Sequence, residues 1–188
     1  MTRLVLKTLN FPGLILLTAA ALAVQSALFS PWPLRYLQPD AVAILCIWCA
    51  FRRNFTEGGI LTLISGEMAE IHSSATQGVH LMGYMLVYVS VRAADRLFVL
   101  RTLKSYVIVS ILAIFGLKLF NMLVGNMLGM PANPTKFALP LAMLRSIVQG
   151  GLGFWIYRWL EKLDHFTYRS AEAGRADDDE LLLDGDAF

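Results

Sequence analysis

Apolar runs of helical rather than strand length alternate with short polar clusters along the chain. Six runs stand out, at 12–29, 37–51, 55–72, 76–92, 105–128 and 137–160. A helix rises 1.5 Å per residue, so about 20 mostly apolar residues cross a ~30 Å hydrocarbon core. The second run is the short one. From Pro39 to Phe51 it covers only about 20 Å, which suits a re-entrant segment as well as a span.

Charge decides between those two. With Arg3 and Lys7 on the cytoplasmic side and six spans, twelve of the 16 Lys and Arg residues fall inside, and only Arg35 and Lys136 fall outside. Basic residues accumulate on the cytoplasmic side, and removing the second span would push Arg52 and Arg53 outward. The pattern therefore predicts an all-α, polytopic membrane bundle of six transmembrane helices, multi-pass in a cytoplasmic membrane with both termini cytoplasmic. Trp32 and Tyr36 are expected at the outer headgroup level, and Trp155, Tyr157 and Trp159 at the inner one. An alternative for the first segment is a cleaved leader, with Ala21-Leu22-Ala23 as its cleavage site.

Composition supports the membrane assignment. The 188 residues are 56% hydrophobic and 16% charged, against about 25% charged in soluble domains. Half of the 14 acidic residues lie between Glu172 and Asp186, which leaves the body net basic. Residues 1–168 thus read as the transmembrane domain and 169–188 as an acidic, disordered cytoplasmic tail. The link 93–104 interleaves Arg96, Arg101 and Lys104 with apolar residues. It reads either as a segment on the anionic inner leaflet or as an extension of the fourth helix.

Candidate chemistry sits inside the spans. The stretch LISGEMAEIHSSATQG (63–78) carries Glu67 and Glu70 on one helical face, roughly 18 and 22 Å from the start of the third span. Lys118 lies about 20 Å into the fifth span and Arg145 about 12 Å below the outer surface in the sixth. A charge near the bilayer centre costs at least ~2.5–3.5 kcal/mol, so such residues face the bundle interior and pair. The simplest arrangement is a neutralised buried network in which Glu67 pairs with Lys118, with His80, Asn121, Asn126 and Gln149 completing the hydrogen bonding. It serves either helix packing or a substrate or proton site. Ser73 to Gly78 reads as the turn into the fourth span. Gly58, Gly59, Gly66, Gly150, Gly151 and Gly153 read as close-approach surfaces between helices. Cys46 and Cys49 form a CxxC inside a span, where they read as apolar filler.

His72, His80 and His165 lack metal-ligand spacing, and no nucleophile constellation or phosphate loop can be assembled. The expectation is therefore no catalytic residue, no metal, no cofactor and no nucleic-acid partner.

The order of features also resembles a known family. Pro39-Asp40 opens the short second span, Arg52-Arg53 forms a basic turn, and a Gly-rich third span follows. GEMAEIHSSATQGVHLMGY (66–84) then supplies an acid, a small polar turn and a fourth span with His80 and Tyr84. This resembles MreD, the integral membrane component of the bacterial rod-shape machinery, over about residues 1–165. Glu70 stands where the family typically has Asp, and Ser-Ser-Ala replaces its Ser-Gly turn. The resemblance implies a non-enzymatic scaffold that associates with MreC, a single-span protein. It also implies support for the wall synthase complex, a SEDS glycosyltransferase with its transpeptidase, in lateral peptidoglycan synthesis. It implies a fold similar to the substrate-binding subunits of energy-coupling-factor transporters, and Asp40 joins the candidate network on this basis. The runner-up is a vitamin-binding uptake subunit of that kind. The scaffold reading expects no ligand-sized outward cavity, whereas the transporter reading expects one near Glu70, His72, Trp32 and the 129–140 loop.

Overall fold

The computed structural model describes residues 2–29, 38–73, 77–98, 103–129 and 138–167. These form six α-helices, with no strand among the described residues: α1 (Thr2–Leu28), α2 (Ala41–Arg52), α3 (Phe55–Ile71), α4 (Val79–Phe98), α5 (Leu103–Met127) and α6 (Ala138–Phe166). Trp32, Tyr36 and the 169–188 tail lie outside the described residues, as do most of the 129–140 loop and the centre of the 73–78 turn. Successive helices run in opposite directions, because contacts at one end join the start of α1 to the ends of α2 and α6. At the other end, the close of α1 meets the start of α2.

The short second run is the centre of the molecule. Every residue from Val42 to Ala50 is buried, including both cysteines and Trp48. A helix apolar on all sides belongs inside a protein rather than on its surface. Accordingly α2 packs against each of the other five helices. Its 12 residues measure about 18 Å, too short to cross a membrane on their own. Three stretches, Leu9–Leu28, Ser105–Met127 and Leu139–Phe166, are long and apolar enough to cross by length and composition.

Both ends of α2 are tied down by charges that complement its dipole. Asp40 is the N-cap, accepting from Ala43 N–H at 2.9 Å. At the C-terminal end the Arg92 guanidinium of α4 donates to the Ala50 and Arg53 carbonyls at 2.9 and 2.8 Å. It thus fills carbonyls that the helix end leaves open.

Three of the six expected packing glycines hold helices close. A Cβ at Gly58 would fall 2.7 Å from the Tyr88 hydroxyl, and one at Gly66 would fall 2.9 Å from Leu81. One at Gly150 would collide with Ile111 of α5. Gly59 and Gly153 make only ordinary contacts, and Gly151 faces open space. The reason is rotation: one residue on from Gly150, a 100° turn carries Gly151 off the contact face. Two further expectations change. α1 begins at Thr2 and continues through Pro12. Tyr157 is buried against Tyr106 with ring centroids 4.2 Å apart, whereas Trp155 and Trp159 are exposed.

Candidate functional site

The two outer helices α1 and α6 meet at one end of the bundle and part at the other. At the closed end, Asn10 donates to Asp164 Oδ1 at 3.0 Å and to the Thr167 hydroxyl at 2.6 Å. At the open end, Leu22, Gln25 and Ser26 of α1 face Arg145 and Gln149 of α6 across a cavity of about 490 Å³. Gln38, Pro39 and Asp40 also line it, with Ala69, His72 and Ser73 from the end of α3. His80 and Tyr84 of α4 and Lys118 and Asn121 of α5 complete the wall. The volume lies in the range of small-molecule sites, but the wall is far more polar than the usual ligand pocket.

Asp40 is held in place from two directions. While capping α2, it accepts the Tyr84 hydroxyl, which lies 3.1 Å from each carboxylate oxygen. The His80 ring stacks beside Tyr84, with centroids 6.2 Å apart. Gln149, on the opposite wall and only 4% exposed, donates its amide to the Gln38 carbonyl at 2.6 Å. Its Oε1 has no hydrogen-bond partner. The same holds for the Lys118 ammonium and for Asn121 Oδ1. Lys118 stands within electrostatic reach of both Arg145 and Asp40.

The cavity therefore gathers Asp40, His80, Lys118, Asn121, Arg145 and Gln149 from four places in the sequence. It does not gather the two glutamates. Glu70 is buried beside it, where Oε2 accepts the backbone N–H of Leu81 at 2.8 Å. A carboxylate in the first turn of α4 serves that helix's open donors and its positive end. Glu67 lies on the exposed face of α3, away from Lys118. The expected Glu67–Lys118 pair is thus replaced by a Lys118–Arg145–Asp40 grouping. The cause is again helical rotation: 300° separates Glu67 from Glu70, so the 60° between their directions suffices to put one inside and one outside. The His72 ring nitrogen Nδ1 lies 2.8 Å from the Met68 carbonyl.

The closed end holds a second polar cluster, built around the Arg52-Arg53 turn. Arg53, 3% exposed, donates to Asn10 Oδ1 at 2.7 Å and to Asp164 Oδ1 at 2.5 Å. Its guanidinium also lies 4.8 Å above the Trp48 ring. Arg52 pairs with Glu161 and donates from Nε to the Tyr157 hydroxyl at 2.8 Å. The available signal was the presence of Asp95, Glu161 and Asp164 on the same side as the basic turns. Among the described residues, no group of acids, His and Cys is arranged to hold a metal.

A family model described as rod shape-determining protein MreD matches residues 7–163. No curated protein sequence and no solved structure matches the chain. The family match takes in all six helices but the first residues of α1 and the last of α6, together with the whole cavity lining and, of the closed-end cluster, all but Asp164 and Thr167, and the chain belongs to the MreD family.

Proposed function

We propose that the chain is an integral-membrane scaffold of the bacterial elongation machinery, seated in the cytoplasmic membrane with the cavity end outward. The family match supports this, since MreD proteins take part in rod-shape determination. The scaffold binds a single-span MreC-like partner and supports the lateral wall synthases. The observation that carries a docking surface is Glu67. It sits on an exposed stripe of α3 with Ile60, Leu63 and Ile71, spaced three and four residues apart. The 17 residues of α3 measure about 25 Å, less than the hydrocarbon thickness. A carboxylate facing lipid there would cost at least ~2.5–3.5 kcal/mol. A partner helix with a Lys, Arg or His at that level removes the cost.

The test is co-purification in mild detergent with the MreC-like partner, quantified for Glu67→Gln, Glu67→Lys and, as control, Leu112→Ala on the exposed face of α5. Glu67→Lys is expected to cut recovery at least about tenfold, the scale of one lost charge-assisted contact. Glu67→Gln should cut it less, and the α5 change not at all. Unchanged recovery with Glu67→Lys would remove α3 as the docking face. Recovery of a nucleotide-hydrolysing transporter module in place of the partner would overturn the scaffold reading. The cavity is the observation that favours that second reading, because a scaffold alone has no need of it.

A further inference from the structure

Three side chains of the cavity wall carry hydrogen-bonding capacity that the fold leaves unused. The Lys118 ammonium, Asn121 Oδ1 and Gln149 Oε1 are buried there without a hydrogen-bond partner. A buried polar atom without a partner is costly, and three in one wall call for something that fills them. Gln149, 4% exposed, cannot turn its amide round to hide the oxygen. Its Nε2 donates to the Gln38 carbonyl at 2.6 Å, where an oxygen would meet an oxygen. Asp40 and Arg145 are by contrast engaged already, Asp40 by Ala43 N–H and the Tyr84 hydroxyl and Arg145 through an interaction of its own. The choice of ligand therefore falls to hydrogen bonding rather than to charge.

The unmet groups are of opposite kinds. Lys118 only donates and Gln149 Oε1 only accepts, while the Asn121 amide does either. An ionised carboxylate only accepts and leaves Gln149 unmet, whereas an ammonium only donates and is repelled by Lys118. A hydroxyl does both at one atom. We infer that the cavity is a binding site for a neutral polyhydroxyl ligand, of which a sugar ring is the compact form. Its hydroxyls accept from Lys118 and donate to Gln149 Oε1, with Asn121 in either role. The partly exposed His80 ring, stacked beside Tyr84, offers a flat surface to the C–H side of such a ring. The volume of about 490 Å³ lies in the range of sites for molecules of this size. The same chemistry comes as a free sugar or as the headgroup of a neutral glycolipid. This site stands apart from the partner surface on α3, so neither proposal depends on the other.

The experiment uses the full chain in nanodiscs of phosphatidylcholine. One arm titrates glucose into the buffer and reads binding by saturation-transfer NMR. Thermal stability is the wrong readout here, since sugars stabilise proteins by exclusion from their surface whether or not they bind. The other arm replaces part of the lipid with a monoglucosyl diacylglycerol and reads retained adducts by native mass spectrometry. A saturable signal in the soluble arm, or a retained glycolipid in the lipid arm, supports the site and tells the two sources apart. Lys118→Met should weaken binding about tenfold or more and Gln149→Met about fivefold. Lys118→Arg should largely restore it, and Arg158→Gln, exposed on α6, should leave it unchanged. No binding in either arm, as expected if the unmet groups hold ordered water only, overturns the proposal, and so does binding indifferent to both methionine variants. Should a variant not fold, the unaltered protein decides. Binding of glucose without binding of tetrahydropyran, the same ring without hydroxyls, supports the site. Equal binding of tetrahydropyran, or tighter binding of glycerol phosphate than of glucose, overturns it.

Discussion

Arg53 shows how much a single side chain carries in this molecule. Its guanidinium, nearly sealed from solvent, touches Asn10 of α1, Asp164 of α6 and the Trp48 ring of α2, so one residue joins three helices. Removing one partner of such a pair strands the other charge, which typically costs about 3–5 kcal/mol, whereas replacing both costs far less. Asp164→Ala is therefore expected to destabilise strongly, and Arg53→Met with Asp164→Leu to recover much of the loss. A double-mutant cycle by unfolding in detergent checks this. Purely additive losses would mean the pair is not coupled. The half-exposed Arg52–Glu161 pair should contribute at most about 1 kcal/mol. The identity of these residues was plain in the sequence, but their pairing was not. Asn10 and Asp164 are 154 positions apart, and no local spacing links them.

Among the elements, the contact between α5 and α6 rests on Gly150. A methyl group there meets both the side chain and the backbone of Ile111, and backbone does not yield as a flexible side chain does. Gly150→Ala is expected to cost about 1–3 kcal/mol, the usual range for overpacking. Gly151→Ala points into open space, and with the better helix former it should be neutral or stabilising by up to about 1 kcal/mol. Comparing the two unfolding midpoints separates packing from helix propensity, because the substitutions differ only in direction. Equal effects would refute the packing argument. The six runs were legible as helices because apolar length is a local property. The burial of α2 was not, since an apolar 12-residue run looks the same whether lipid or protein surrounds it.

For the whole molecule, the alternation of six helices places the start of α1 and the end of α6 at the Arg53–Asp164 end and Ser73, just past α3, at the cavity end. If the positive-inside bias orients the bundle, a cysteine introduced at His165 should react with an impermeant thiol reagent only from the cytoplasm. One introduced at Gln77 should react only from outside. Both native cysteines are fully buried in α2 and should stay silent in each assay. Labelling of both introduced sites from one side would break the alternating arrangement. At this scale the cavity corrects the expectation that a scaffold is solid throughout. α1 and α6 are pinned together by Asn10 at one end, and toward Gln25 and Arg145 the cavity lies between them.

The sequence by itself determined the solvent, the number of helices, their alternation and the set of polar residues confined among apolar ones. Each of these follows from composition or from spacing within about twenty residues. Only the tertiary structure decided which polar residues meet. Helix rotation put Glu70 inside and Glu67 outside although they share one stretch of α3. It also put Lys118 beside Arg145, a like charge, and left α2 rather than a long helix at the centre. Those outcomes depend on the azimuth of each helix against its neighbours, a quantity summed over all the packing contacts. No segment of the chain encodes it alone.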